Sequence, residues 1–275
     1  MPAHSEVVQT SSGSQALDNF LAEQISACVA LEHQLRDSKL PRVARLHPLF
    51  VAVVEDAASV RLLLANSRLN QAYIVSRAML ERATNYCFLQ LCTDGQYQDF
   101  IDYSLNKAGR RFDRSVVADG EVKAHLYLKD GPLKLSPELV AAVAKFTSQR
   151  GGEKTRWTTI SLSDRAAAIE AKLGRTGLFM SLLAIYSDAS EALHGTLYGA
   201  LFHFGVYDVG SVPNDQASFD RHRYETISAL SLFAGGSIDT VLSVLDHAQE
   251  PCAAIAAKDS KARFRRAAKE AALMP

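Results

Sequence analysis

A chain of 275 residues, 48% hydrophobic and 22% charged, has globular composition and a length that suits one large domain or two small ones. Thirty Lys and Arg balance thirty Asp and Glu. No bulk charge therefore draws it to nucleic acid or to a membrane, and any such binding must rest on a local patch.

Residues 1–14 are polar and Ser-rich, without the basic start and apolar core of a signal peptide, and are expected to form a disordered tail. From Gln15 to Ser38, Leu17, Phe20, Leu21, Ile25, Cys28, Leu31 and Leu35 recur at three and four, an amphipathic helix. Pro41 separates it from a second helix over Arg42 to Ser67, which begins or kinks at Pro48. A third, Leu69 to Cys92, is apolar almost all round apart from Arg77, Glu81, Arg82 and Asn85, so it belongs at the centre of the fold.

The character changes at Asp94-Gly95. Tyr97 to Arg114 is helical but more polar, with Arg110, Arg111 and Arg114 near its end. Gly120, Gly131, Pro132 and Pro137 break Asp119 to Pro137 into short helices and turns. Ser136-Pro137-Glu138 caps a helix that reaches about Gln149 and stops at Arg150-Gly151-Gly152. Trp157, the only tryptophan, sits in a loop from Glu153 to Ser161. Ser163-Asp164 caps a short helix over Arg165 to Leu173, and Gly174 to Gly177 is a turn. A helix through Tyr186 to His194 extends toward Phe202. Gly205, Gly210 and Pro213 then make a loop before a long helix, Gln216 to Gln249, bent at Gly235-Gly236. From Pro251 onward, Lys258, Lys261, Arg263, Arg265, Arg266 and Lys269 lie on a basic helix interleaved with alanine, which suits a frayed tail. No strand alternation is visible. The expected fold is an all-α multi-helix bundle over 15–250, a single domain with a helical insertion at 94–162 and a basic C-terminal helix at 251–275.

Two polar rows interrupt this apolar pattern. Tyr186, Ser190 and His194 stand at steps of four in a segment otherwise fit for burial, as do Arg77, Glu81 and Asn85 on the third helix. Charges in such a context need partners, since removing one ion of a buried pair costs about 3–5 kcal/mol. Arg77 and Glu81 are expected to pair with each other or with the other row. If the two helices pack antiparallel, Glu81 facing His194 would hold one ring nitrogen and set the tautomer, with Asn85 a further donor. The alternative is a buried structural network, with Trp157 as a plug closing the bundle instead of a stacking platform.

The order Arg77-x-x-x-Glu81-x-x-x-Asn85, then Trp157 in Arg-Trp-Thr-Thr-Ile, a short helix, and Tyr186-x-x-x-Ser190-x-x-x-His194-Gly195 resembles a widespread bacterial helical family catalogued only as a domain of unknown function. The resemblance spans about Val53 to Phe204. It implies a helical fold and a shared site, with no named reaction. More distantly the chain is similar to the HEPN bundles, many of them metal-independent ribonucleases of toxin, CRISPR-associated and phage-defence systems. Their signature is an Arg followed four to six residues later by His, working across a dimer interface. Positions 187–190, where that Arg stands, read Ser-Asp-Ala-Ser here, and only Arg77, from another helix, is placed to replace it. On this resemblance His194 is general base or acid, and Arg77 stabilises charge on a phosphorane-like transition state. Glu81 orients one of them, and Tyr186 or Ser190 hydrogen-bonds a phosphate oxygen.

Other signals are weaker. The basic C-terminal helix, through Lys261, Arg265 and Arg266, is a second candidate for RNA or an acidic partner; its alternative is a solvated face. Arg110-Arg111-Phe-Asp-Arg114 is similar. No metal or cofactor is expected: His-Glu-x-x-His is absent, Glu-x-x-His occurs once, and His194 and His203 fall on opposite sides of a continuous helix. Arg150-Gly151-Gly152-Glu153-Lys154-Thr155 lacks the spacing of a phosphate loop. Cys28, Cys87, Cys92 and Cys252 are scattered and read as small apolar residues. No run of about 18 apolar residues marks a membrane span, so a cytoplasmic location is the expectation. Two functional readings follow. One is a HEPN-like ribonuclease or RNA binder of a defence or toxin system, acting as a homodimer. The other is a non-catalytic scaffold or dimerisation module whose polar rows set packing.

Overall fold

Apolar side chains at steps of three and four build the long helices, and the buried positions follow that spacing. The structure, a computed structural model, describes residues 3–111, 113–127, 136–149, 151–174, 176–202, 204–205, 216–271 and 273. Gly131, Pro132, Arg150, His203, Gly210 and Pro213 lie outside them. The chain divides into two compact units, Met1–Leu91 with Leu162–Pro275, and Cys92–Ser161.

The first unit is a helical bundle. Helices α1 (Ala3–Arg36), α2 (Pro41–Ala65), α3 (Leu69–Leu91) and α10 (Gln216–His247) form its centre. α1 contributes Leu17, Phe20, Leu21, Cys28, Leu31 and Leu35, and α2 contributes Val43, Leu46, Phe50, Val53, Val60 and Leu64, all buried. Each such Leu, Val or Phe stabilises the fold by about 1.5–3 kcal/mol. Against α3 lie α6 (Leu162–Leu173), a π-helical turn (Leu182–Tyr186) that follows α7 (Leu178–Ser181), α8 (Ser187–His194) and the short α9 (Leu197–Phe202). Ile185, Ala189 and Phe202 from these elements join Val60, Leu69, Tyr73 and Leu230 in one apolar cluster. The last helix, α11 (Ala253–Glu270), packs on α1 and α10.

The second unit holds α4 (Asp94–Arg110), a hairpin of β1 (Asp113–Ala118) and β2 (Glu121–Tyr127), and α5 (Pro137–Lys145). Thr93 and Gln96 form a capping box at α4, and the Ser136 hydroxyl caps α5 with Pro137 in its first turn. Lys145 bridges Asp99 and Asp102, tying α5 to α4. Arg110 is spent on Asn106 and Thr147, inside this unit.

Several expectations need correction. Residues 3–14 continue α1 instead of forming a tail, because extending an existing helix needs no new nucleus. Helix α2 starts at Pro41 and runs through Pro48, whose side is exposed. The segment read as short helices and turns is partly an antiparallel hairpin. Asp119 (φ 54°) and Gly120 (φ 77°) take the two left-handed positions of its turn, the Asp-Gly chemistry of a type I′ turn. The helix through Tyr186 stops at His194, where Gly195 (φ 66°) caps it, and α9 is separate. The C-terminal helix is docked, not frayed: Ala253, Ala257, Ser260, Ala267 and Ala268 are buried, and Phe264 meets Phe20 edge-on at 5.9 Å. Finally, α10 is long and apolar enough to cross a membrane by composition alone, but 56% of its apolar window is buried within the bundle, as suits a core helix.

Candidate functional site

Helix α3 presents its polar row to the elements packed on it. Arg77 is 17% exposed and its Nε donates to Glu81 Oε1 at 3.2 Å, one turn on. Its Nη2 donates to Tyr186 Oη at 3.1 Å, and the guanidinium lies 4.3 Å from the centre of the Tyr186 ring, within cation–π range. The third nitrogen, Nη1, is buried with no hydrogen-bond partner. Glu81 is 41% exposed. Arg82, on another face of α3, pairs with Asp56 of α2 and stands apart from the row.

A residue that the sequence reading passed over completes the cluster. Arg165 of α6 donates through Nη1 to Asn85 Oδ1, so the Asn85 carbonyl oxygen serves as an acceptor in the cluster. Burial pulls the Arg165 guanidinium below its ordinary range, opposed by the nearby Glu81 carboxylate and Tyr186. Its signal was present: Arg165, Ala166, Ile169 and Leu173 lie three, four, seven and eleven residues after Leu162, one helix face that puts an arginine beside buried Ala166 and Ile169. Arg77 thus binds the Glu81 carboxylate directly, while Arg165 feels its charge without pairing with it.

Tyr186 is the last residue of the π-helical turn, a local widening of the helix frequent at functional sites. Past it the chain runs antiparallel to α3, since Asn70, near the start of α3, donates through Nδ2 to Gly199 O at 3.2 Å. That direction decides the place of His194. With Tyr186 beside Arg77, His194 is displaced toward the start of α3 while Glu81 lies toward its end. At about 1.5 Å per residue the two are on the order of 18 Å apart along the axes. His194 is exposed, and among the described residues no hydrogen bond joins it to Arg77 or Glu81. The expected Glu81–His194 contact is therefore replaced by the Glu81–Arg77 pair. Ser190, one turn before His194, is half-buried. Asp188 accepts from Tyr198 Oη at 3.4 Å, and burial, with Glu191 adding to it, raises its carboxyl above the ordinary range.

The remaining candidates lie elsewhere. Trp157 belongs to the second unit, where its ring packs edge-on against Phe100 at 5.4 Å. On α11, Arg266 pairs with Glu23 of α1, while Arg265 and Lys261 are exposed. Among the described residues no group of three or more His, Cys, Asp or Glu side chains is placed to hold a metal ion. Burial pushes the Cys28 thiol up to about 12 and raises Cys87 as well, so both are inert interior groups.

Searches of the curated proteins and of the solved structures return no match. A family profile does match, over residues 44–210, a span that includes Arg77, Glu81, Asn85, Arg165, Tyr186, Ser190 and His194. The chain belongs to the DUF5677 family of unknown function.

Proposed function

We propose that the protein is an RNA binder whose phosphate-recognition site is the Arg77–Arg165 cluster. The observation that carries this reading is the local excess of positive charge on a chain of zero net charge. Arg77 is bonded to Glu81, Arg165 lies within electrostatic reach of the same carboxylate, and Arg77 Nη1 is buried with no acceptor. A guanidinium offers five N–H donors in a fork suited to phosphate, and a charge-assisted bond of that kind is about twice as strong as a neutral one. Glu81, partly open to water, occupies the place of the anion in the free protein and swings out as phosphate enters. Tyr186 backs Arg77, and Asn85 holds Arg165 in position.

Cleavage is a further step within the same reading. His194 of one protomer is remote from its own arginine cluster, so a HEPN-like ribonuclease would form only where a second copy brings its His194 to that cluster. A homodimer, a defence or toxin role and a cytoplasmic location belong to this reading. The second reading, a non-catalytic scaffold, is favoured by one observation: the Arg77–Tyr186 stack and the Arg165–Asn85 bond tie α3 to the π turn and to α6.

Fluorescence anisotropy with a labelled single-stranded RNA separates the two. RNA binding predicts that Glu81→Gln tightens affinity several-fold, because it removes the competing carboxylate, whereas Arg77→Gln weakens it. Variants that lower the melting temperature and leave RNA affinity untouched support the scaffold and overturn the binding site.

A further inference from the structure

Away from the arginine cluster, a polar cavity of about 240 Å³ opens between α6, α10 and α11. Its charges are segregated by wall. Asp239, Ser243 and Asp246 line it from α10, at steps of four and three that place them on one helix face, with His247 at its margin. Lys172 comes from the end of α6 and Lys261 from α11. No ion pair among the described residues joins either lysine to either aspartate, so the two signs face each other across the cavity without meeting.

The floor is held in position by buried groups. Ser260 Oγ donates to Asp239 Oδ1 and itself accepts from Gln24 Nε2 at 2.5 Å, and the Gln24 carbonyl accepts from Arg263 Nε at 2.9 Å. Gln24 and Ser260 are both fully buried. This chain fixes one carboxylate oxygen of Asp239. No hydrogen bond among the described residues reaches the other, Oδ2. Thr240 Oγ1 shares its proton between Gly236 O of its own helix at 3.0 Å and Thr176 O at 3.2 Å, which places the turn after α6 beside α10 at the opposite wall. Burial raises the Asp239 carboxyl above its ordinary range, more than Ser260, Lys261 and Arg263 lower it. A cationic group entering beside Asp239 would relieve that cost.

We propose that this cavity binds a small zwitterion of amino-acid size, its cationic group held by Asp239 and Asp246 and its anionic group by Lys172 and Lys261. Size and polarity argue for that class. The cavity lies below the range of about 300–1,000 Å³ that takes drug-sized ligands. The acidic wall repels a polyanion, and the basic walls repel a polyamine. A molecule carrying both signs a few bonds apart satisfies both sets of walls at once.

Isothermal titration calorimetry on the full chain tests this with L-lysine and L-arginine as zwitterionic probes and with acetate and n-butylamine as single-charge controls. Dissociation constants of about 1 mM or tighter are expected for at least one amino acid, with the controls at least about tenfold weaker. Asp239→Asn and Lys172→Glu should each weaken that binding by about tenfold or more; Lys172 is exposed, so the second variant leaves the fold intact. No heat from either amino acid up to about 10 mM, equal affinity in either variant, or controls that bind as tightly as the amino acids would each overturn the proposal.

Discussion

Two neighbouring glycines in the middle of α10 should respond to the same substitution with opposite signs. A Cβ built on Gly235 would lie 2.8 Å from Phe20 Cδ1 and 3.0 Å from Cζ, with Cε1 closer still. Phe20 cannot yield freely, because its ring is 1% exposed and is backed by Phe264 on α11. Overpacking of this kind costs about 1–3 kcal/mol, against a helix-propensity gain of about 1 kcal/mol for Gly→Ala. Gly235→Ala is therefore expected to destabilise by up to about 2 kcal/mol, once the helix-propensity gain is set against the overpacking. At Gly236 nothing lies within 4 Å of the added Cβ, so Gly236→Ala keeps the propensity gain and stabilises by about 0.5–1 kcal/mol. In a chain of this size 1 kcal/mol moves the melting temperature by about 2–4 °C. Thermal unfolding followed by circular dichroism should place the two variants on opposite sides of wild type. Equal shifts of the same sign would refute the account of Gly235 as a site of close helix approach, and would return both residues to the role of a simple bend.

Asp239→Asn should raise stability at pH 7. The folded-state pKa of Asp239 lies above its ordinary value because of burial, so its charged form is the one that folding penalises. The gain should fade as pH falls through that raised pKa and vanish below about 3.9, where folded and unfolded forms are both neutral; urea midpoints across about pH 4–7 check it. His194→Ala should leave helical circular dichroism unchanged and RNA affinity within about twofold of wild type, a difference of roughly 0.4 kcal/mol; a tenfold loss in the same anisotropy assay would place the imidazole at the binding site. Native iodoacetamide labelling, read by mass spectrometry, should leave Cys28 and Cys87 unmodified and label them only in denaturant, since burial holds both as neutral thiols.

The periodic helices were legible because burial enforces their pattern: α1, α2, α3 and α10 bury residues at the steps that the sequence displays. The Arg77–Glu81 pair was legible for a related reason, being two charges one turn apart on a helix with few other polar positions. The hairpin was not, because Val116, Val122 and Leu126 face solvent at 62%, 61% and 66% exposure. Among the described residues the hairpin buries no face, so there is no alternation to read, and Asp119-Gly120 is the signal that announced it. His194 was misplaced for a different reason. A step of four reports which side of its own helix a residue occupies and says nothing of how far the neighbouring helix is shifted along it. That shift is set by Tyr186 against Arg77 and by Asn70 against Gly199. Arg165 was overlooked because a single arginine on a short, capped helix looks like a surface residue until α6 is seen against α3.

The most direct test of the arginine cluster as an RNA site is the salt dependence of single-stranded RNA binding by wild type and the Arg77→Gln/Arg165→Gln double variant. Each phosphate contact to a single strand contributes about 0.7 to the slope of log affinity against log salt. The account predicts at least about tenfold weaker binding in the double variant, and a slope shallower by about 1.4, with the bundle still helical by circular dichroism. An unchanged affinity and slope in a folded double variant would contradict it.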